Sequence, residues 1–221
     1  MTESSYSPSY LAERAIQRRA VEAAIWGMPA VNYYLMYQEM ANKVKGGFNQ
    51  VLYWSKLLDW KNQTLTPNPD VIYLMPFLNI KDAGPVVLEI PPADEGLING
   101  SIMNYWQAAI EDVGPGGVDK GKGGKYLFLP PSYDKTTIPN GYIPMPSDTY
   151  QGYALLRSVL RSGSDADVAH TQYVTYSKRI KLYLLSQASD PPATKFVDAS
   201  GVLFDSTIRY GLIFFESLIA L

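Results

Sequence analysis

The first fifty residues show a helical pattern of apolar positions. Small or apolar residues recur three or four positions apart, which places them on one face of a helix from Ser9 to Gly27. They are Ala12, Ile16, Ala20, Ala23 and Gly27. Pro29 suits the first turn of a helix, so we predict a second amphipathic helix that runs from Pro29 to Lys43. Residues 1–50 are therefore predicted to form an N-terminal helical segment.

Between Val71 and Leu156 the pattern changes to short apolar or alternating runs separated by turn residues. Six runs predict strands: Val71–Ile80, Val86–Ile90, Leu97–Gln107, Lys125–Leu129, Gly141–Met145 and Tyr150–Leu156. Because the links are short and no helical pattern interrupts them, the runs predict an antiparallel β-sandwich over residues 51–160. Pro76 cannot donate a ladder hydrogen bond, which predicts that the first run is an edge or bulged strand.

Residues 161–221 predict a helix and strand extension that packs on the sandwich. Ser164 and Asp167 have the spacing of a capping box, which predicts a helix from there to Lys178. Ile180–Leu185 predicts a further strand, and Asp205 with Ser206 can cap a final helix from Thr207. The whole pattern predicts a mainly β chain with N-terminal helices and a C-terminal helix.

Several blocks of the sequence resemble the bacterial family known as domain of unknown function 1254 (DUF1254). Thr66–Tyr73 is similar to the family motif TPNxDxxY, although Pro69 stands where the family often has Asn. The other blocks are Gly84–Pro91, Asp112–Pro115, Gly121–Leu127, Arg179–Tyr183 and Pro191–Asp198. The resemblance implies an immunoglobulin-like β-sandwich with flanking helices, and it supplies no agreed reaction. Members commonly continue into a jelly-roll-like domain, whereas this sequence stops at Leu221, so the resemblance also implies a missing C-terminal partner domain.

Composition narrows the classes of function. The chain has 221 residues, 19 basic and 21 acidic side chains, and a net charge of -2, so no basic field is present to bind nucleic acid. It has no Cys, which excludes disulfides and thiolate sites. Charged residues make up only 18% and Tyr occurs 17 times. This balance predicts either a surface that a partner or ligand covers, or a core rich in tyrosine.

The N-terminal residues do not resemble a secretory signal, because Glu13, Arg14, Arg18 and Arg19 interrupt the first apolar stretch. We therefore expect a cytoplasmic protein, or a periplasmic or secreted one whose leader has been removed. No apolar run approaches the roughly 20 residues of a membrane span.

Candidate catalytic residues are few. His170 is the only histidine and lies on a predicted helix, where a histidine is more often a packing or surface residue than a catalytic one. Asp70 and Glu111 are the carboxylates that a hydrolase would use, and neither forms a sequence motif with a nucleophile. Without Cys and with one His, no zinc, iron or copper site is expected. We expect no cofactor, with oxygen-bound calcium or magnesium as the alternative.

The Thr66–Tyr73 turn is the leading candidate for ligand binding. Asn68 and Asp70 carry short polar side chains to a chain reversal, where they either bond their own backbone or face a ligand. Tyr73, Asn104 and Trp106 lie on predicted neighbouring strands. We predict that the turn borders an aromatic-lined pocket with Asn104 as its polar anchor; the alternative is that these residues belong to an ordinary core.

These residues favour a β-sandwich domain that binds a small ligand, a partner domain or a subunit, rather than one that carries out catalysis alone. The alternatives are a carboxylate hydrolase that uses Asp70 and Glu111, with or without a divalent cation, and a purely structural oligomerisation module. Residues 210–221 are apolar around most of a helix, so we expect them to pack against a second copy or a missing C-terminal domain.

Overall fold

The computed structural model describes residues 6–66, 68–94, 96–171 and 179–220. These residues form three α-helices: α1 (Pro8–Lys43), α2 (Asp165–Thr171) and α3 (Leu212–Ile219). They also form ten strands, which are β1 (Gln50–Tyr53), β2 (Val71–Asn79), β3 (Val86–Ile90), β4 (Leu97–Asn104), β5 (Ala109–Val113), β6 (Gly124–Leu129), β7 (Tyr142–Pro146), β8 (Gln151–Val159), β9 (Lys181–Leu184) and β10 (Phe196–Asp198). Helix and sheet occur in similar amounts, so the described chain is a mixed helix and sheet structure and the expectation of a mainly β chain holds only marginally: α1 alone has 36 residues.

The strands form two sheets. The larger has the order β10-β1-β2-β8-β4-β5, and the smaller has the order β7-β6-β3-β9. Most pairs are antiparallel, as predicted, but β1 pairs with β10 in parallel and β6 pairs with β7 in parallel. The two sheets share one hydrophobic core, to which Ile72, Leu74 and Leu156 of the larger sheet and Leu88 and Phe128 of the smaller contribute. The two-sheet layout was predictable; the immunoglobulin-like topology stays a prediction.

Strand β2 lies in the interior of the larger sheet, which corrects the prediction of an edge strand. It is flanked by β1 and β8, and eight of its nine residues are buried. Its paired positions with β8 run from Val71 to Leu74 and resume at Phe77, so the ladder is interrupted around Pro76. A lost hydrogen bond costs about 1 kcal/mol net, whereas each large buried side chain contributes about 2 kcal/mol. Burial on both faces therefore outweighs the effect of the proline.

Helix α1 covers the outer face of the larger sheet. Tyr33, Met36 and Met40 of the helix are buried in one cluster with Met75 and Phe77 of β2. These two strand residues alternate with those that face the smaller sheet, because successive side chains of a strand point to opposite faces. The described chain therefore has three layers: α1, the larger sheet and the smaller sheet.

The prediction of two N-terminal helices was wrong, since α1 continues through Pro29 without a break. Proline removes one helical hydrogen bond, and its interior cost is about 3 kcal/mol. The residues that follow it include Ala30, Val31 and Tyr33, all of which are buried. Their packing offsets the cost. Gly27 lies inside the helix, where a Cβ would be 2.7 Å from Leu218 Cδ1. The glycine therefore permits close contact with α3.

Other differences lie at turns and chain ends. The run predicted as Leu97–Gln107 ends at Asn104, because Gln107 has a φ of 60° and reverses the chain into β5. The final helix begins at Leu212 instead of Thr207; Asp205 accepts a hydrogen bond from the Thr207 N–H at 2.9 Å, but this closes only a local turn. Strands β1, β5 and β10 were not predicted. The predicted end of α2 at Lys178 lies outside the described residues.

Candidate functional site

Polar groups of the Thr66–Tyr73 turn form hydrogen bonds with nearby backbone. Asn68 Oδ1 accepts a hydrogen bond from the Asp70 N–H at 2.8 Å, and the Asp70 carbonyl accepts one from the Leu160 N–H at 2.8 Å. The Asp70 side chain is exposed. These bonds hold the turn against the end of β8, which is a structural role. Pro67 lies outside the described residues.

The predicted ligand-binding residues fall into two groups at opposite ends of the larger sheet. Tyr73 lies opposite Arg157 of β8, and Asn104 lies opposite Gly152. Five residues of strand separate these positions, which is about 17 Å at 3.4 Å per residue. Tyr73 is buried, and the Arg157 guanidinium lies 5.4 Å from its ring centre. Asn68, Asp70 and Tyr73 therefore do not share a pocket with Asn104 and Trp106.

The candidate catalytic residues are not brought together either. Asp70 precedes β2, whereas Glu111 lies on β5, three strands away in the sheet order. Strands are about 4.8 Å apart, so the lateral separation alone is roughly 14 Å. His170 is exposed on α2, as the sequence indicated. The described geometry offers no pairing of Asp70 with Glu111.

The turn between β4 and β5 joins the sheet to α1. Asn104 Oδ1 accepts a hydrogen bond from the Ala108 N–H at 3.0 Å, which closes the turn. Gln107 Nε2 donates to the Pro29 carbonyl at 2.8 Å and to Asn32 Oδ1 at 3.0 Å. Tyr153 donates its hydroxyl to Gln107 Oε1 at 3.0 Å. One glutamine thus connects the hairpin, the sheet and the helix.

An aromatic cluster lies beside this turn. The Trp106 ring centre is 4.5 Å from that of Trp26 of α1 and 4.9 Å from that of Tyr105. Tyr33 lies beneath them, 5.7 Å from Tyr153. Burial raises the pKa of Tyr153 to about 12 and raises the pKa of Tyr33 even further, so both phenols are protonated donors at neutral pH. The cluster belongs to the contact between α1 and the sheet.

Helices α1 and α3 together expose an unusual amount of apolar side chain. We define the α1–α3 surface as the exposed apolar residues of these two helices: Leu11, Ile16, Val21, Ile25, Trp26, Leu212, Ile213 and Ile219. The helices touch where Gly27 meets Leu218, and Phe214 is the buried residue of α3. Every residue from 8 to 19 is exposed. This surface is the candidate functional site.

The described residues contain neither a cluster of metal-ligand side chains nor a membrane-spanning helix. Within them no three or more His, Asp or Glu side chains lie close enough together to hold a metal ion. None of the helices described combines the length and the apolar character that a membrane span requires.

A family model described as "Protein of unknown function (DUF1254)" matches residues 48–183, which is more than half of the chain. The chain belongs to this family. The matched part of the DUF1254 protein runs from β1 to β9 and so contains the core that the two sheets share, while α1 and α3 lie outside it. A search of curated proteins finds no match.

Among solved structures, the DUF1254 chain is similar to the VPA0106 protein from Vibrio parahaemolyticus. The two share 16% sequence identity with a TM-score of 0.58, and the match covers 89% of this chain and 44% of that one. At this identity the likeness shows the fold alone. The chain corresponds to less than half the length of the VPA0106 protein.

Sequence reasoning found Asn104 and Trp106 but missed the residues that give them a role. Gln107 of the hairpin bonds to Pro29 of α1, and Trp26 of α1 contacts Trp106 of the hairpin. The two residues of each pair are about eighty positions apart in the sequence, so no local pattern reveals the contact. The apolar residues of α1 could have indicated this exposed surface from the sequence. Ala12 and Ile16 lie on the same predicted face as Gly27, yet α3 covers this face only near Gly27.

Proposed function

We propose that this DUF1254 protein is a binding domain that pairs with a second copy of itself through the α1–α3 surface. The observation that carries the proposal is the exposed half of α1. Twelve consecutive residues, 8–19, have no buried side chain, and apolar residues such as Ile16, which is 70% exposed, interrupt its polar ones.

A helix in this state needs a partner. Helices of fewer than about 12–15 residues are marginal in water unless tertiary packing stabilises them. Large exposed apolar side chains on neighbouring elements mark interaction surfaces in soluble proteins. Leu212 and Ile219 of α3 extend the exposed apolar residues beyond α1, and Ile219 is 85% exposed. Covering both helices would remove the largest of these side chains from water.

A second copy fits the shape and charge of this surface. A two-fold axis brings the same two helices from each copy together, and four helices can bury their apolar residues around a common axis. The exposed half of α1 carries both signs of charge. If two α1 helices run antiparallel about Arg18, Arg14 of one copy faces Glu22 of the other. The two Arg14–Glu22 pairs favour the antiparallel arrangement against the single like-charged contact between the two Arg18 side chains, and the net charge of -2 opposes it little.

The test is light scattering coupled to size-exclusion chromatography at micromolar concentration. We expect the whole chain to have twice the mass of one copy. The double variant Ile16→Asp/Ile219→Asp places charges on the surface and should weaken self-association by about 100-fold or more. Its circular dichroism spectrum should keep the sheet signal of the parent, and any loss of helical signal should be limited to the exposed half of α1, because both substituted residues are exposed.

Val118→Asp provides the matched control. Val118 is 48% exposed in the loop after β5 and is not part of the α1–α3 surface. This variant should keep the mass of two copies. A parent protein that stays monomeric, or a double variant that pairs as well as the control, contradicts the proposal. Monomeric protein that gains mass only with a separate partner domain would indicate the other occupant expected for residues 210–221.

A further inference from the structure

A cleft lies at the edge of the larger sheet, away from the two helices used for the proposed pairing. Strands β1 and β10 run in parallel with Tyr53 opposite Asp198, so their carboxyl ends leave the sheet side by side. The two loops that follow enclose a cleft of about 410 Å³, a volume typical of small-molecule sites. The first loop contributes residues 54–59, 61 and 62, and the second contributes 198–202.

Hydrogen bonds between the loops preorganise the cleft. Asp198 Oδ1 accepts the Ser55 N–H at 3.1 Å and the Ser200 N–H at 2.9 Å, and Asp198 Oδ2 accepts the Ser55 hydroxyl at 2.5 Å. Burial raises the pKa of Asp198, but the hydrogen bonds from Ser55 and Ser200 together outweigh burial and lower that pKa. Lys61 Nζ also donates to the Gly201 carbonyl at 3.1 Å. The acceptor groups of the cleft are therefore engaged in holding the loops.

The cleft also contains a hydrogen-bond donor that has no partner among the described residues. Asn62 is only 6% exposed, and its Nδ2 has no hydrogen-bond partner among the described residues. The amide orientation is determined, because Asn62 Oδ1 accepts the N–H groups of Thr64 at 3.0 Å and Leu65 at 2.7 Å. A buried amide with unused N–H groups costs free energy. Because Asn62 Nδ2 is itself fully buried, a ligand oxygen would remove that cost once a small shift of the side chain opens it to the cleft.

Further donors surround Asn62. Ser200 Oγ accepts the Lys56 N–H at 3.2 Å, and its own hydroxyl is engaged with Asp198. The ammonium groups of Lys56 and Lys61 supply positive charge at the rim. Asp59 also lines the cleft, and its Oδ1 accepts the Lys61 N–H at 2.9 Å. Amide and ammonium donors together are complementary to an oxyanion.

The wall of the cleft adds an apolar part. It is formed by Trp54, Leu57, Leu58 and Val202. An apolar wall with a few convergent polar groups is typical of sites for small organic molecules. The cleft thus has room for more than an inorganic ion.

We infer that this cleft binds a small organic anion, whose carboxylate or phosphate head accepts hydrogen bonds from Asn62 and the two lysines. The apolar part of the ligand packs against Leu57, Leu58 and Val202. This site is separate from the α1–α3 surface, and its occupation does not depend on pairing between copies.

The test is a ¹H–¹⁵N NMR titration of the whole chain with three probes: hexanoate, phenyl phosphate and n-hexanol. We expect at least one of the two anions to shift the side-chain amide resonances of Asn62, with a Kd of about 1 mM or tighter. Binding of hexanoate indicates a carboxylate head, and tighter binding of phenyl phosphate indicates a phosphate head. The neutral alcohol should bind at least ten times more weakly, at a difference of about 1.4 kcal/mol.

Variants separate the cleft from nonspecific binding. Lys56→Gln/Lys61→Gln should weaken binding of the better anion about tenfold, because both charges at the rim are lost. Asn62→Asp keeps the Oδ1 acceptor but replaces the donor with a negative group, so it should abolish binding. Lys81→Gln is the control, since Lys81 follows β2 at the opposite end of the sheet, and it should bind as the parent does.

Several results would overturn the inference. They are the absence of any shift at Asn62 with both anions, equal affinity for n-hexanol and hexanoate, and undiminished binding by the lysine double variant. If Asn62→Asp fails to fold, the lysine double variant still decides, because Lys56 is exposed and a glutamine there leaves the core intact.

Discussion

The two halves of α1 have the same secondary structure and opposite surroundings. From Gly27 onward the helix packs on the larger sheet, and its buried residues include Tyr33, Met36 and Met40. Before Gly27 it contains no buried residue, although Ile16 and Ile25 are as apolar as the residues of the second half. Helical backbone is therefore common to both halves, whereas buried residues belong to the second; the first half meets the sheet at its end, where Trp26 contacts Trp106. The exposed half has no buried residue among the described ones, which is why we propose that it is the half used for pairing.

The largest effect should come from truncating the buried half. Tyr33→Ala removes a ring that contacts Phe77 and Tyr153, so we expect the free energy of unfolding to fall by about 3–5 kcal/mol. Tyr10→Ala makes the same chemical change in the exposed half and should alter stability by less than about 0.5 kcal/mol. Urea denaturation at a concentration where the chain is monomeric measures both. Similar losses for the two variants would contradict the contrast between the halves.

The second largest effect should come from alkaline pH, which lowers the free energy of unfolding through the buried Tyr153. In the unfolded chain a tyrosine loses its proton near pH 10, whereas burial raises the pKa of Tyr153 to about 12 in the fold. Between these values the unfolded state binds fewer protons, so stability is complete below pH 10 and falls as pH rises toward 12.

Denaturation series between pH 9 and pH 12 provide the measurement. The contribution of Tyr153 is about 1.4 kcal/mol per pH unit within the window. Tyr153→Phe should flatten the decline by that amount. An unchanged slope in this variant would show that the Tyr153 hydroxyl does not remain protonated in the fold.

The smallest of these effects concerns the link between the β4–β5 turn and α1. Gln107→Ala removes hydrogen bonds to Pro29, Asn32 and Tyr153, and we expect a loss of about 1–2 kcal/mol. Gln17→Ala is the matched change in the exposed half, where Gln17 donates only to Glu13 at 3.3 Å. It should be near neutral. Hydrogen exchange of the α1 amides after Pro29 should accelerate only in Gln107→Ala; equal acceleration in both variants would be the contrary result.

Local pattern was sufficient for much of the sheet. Val86–Ile90 has the bounds that its apolar run predicts, and β2 and β6 lie within a residue of theirs. These strands are continuous apolar segments bounded by turn residues, so their type follows from local composition. Local rules failed at Pro29, where they predicted a break between two helices, and at Pro76, where they offered an edge strand as one of two alternatives. At Pro29 and Pro76 the burial of neighbouring side chains exceeds the cost of one missing hydrogen bond.

The candidate sites were the least predictable part of the molecule. Asn68 and Trp106 were recognised as residues of interest, but whether they meet depends on strand register, and the register places them at opposite ends of the sheet.

By itself, then, the sequence determined the family, the two-sheet layout, the strands with long apolar runs and the apolar character of α3. Only the tertiary structure decided that α1 is a single helix whose first half has no buried residue. It also decided that Ser55 and Asp198 meet at one cleft. These two residues are 143 positions apart. Their meeting follows from the parallel pairing of two short edge strands, β1 and β10, neither of which has a strong pattern of its own. Such pairing is stabilised by the packing of the whole sheet, and for that reason it cannot be read from either segment alone.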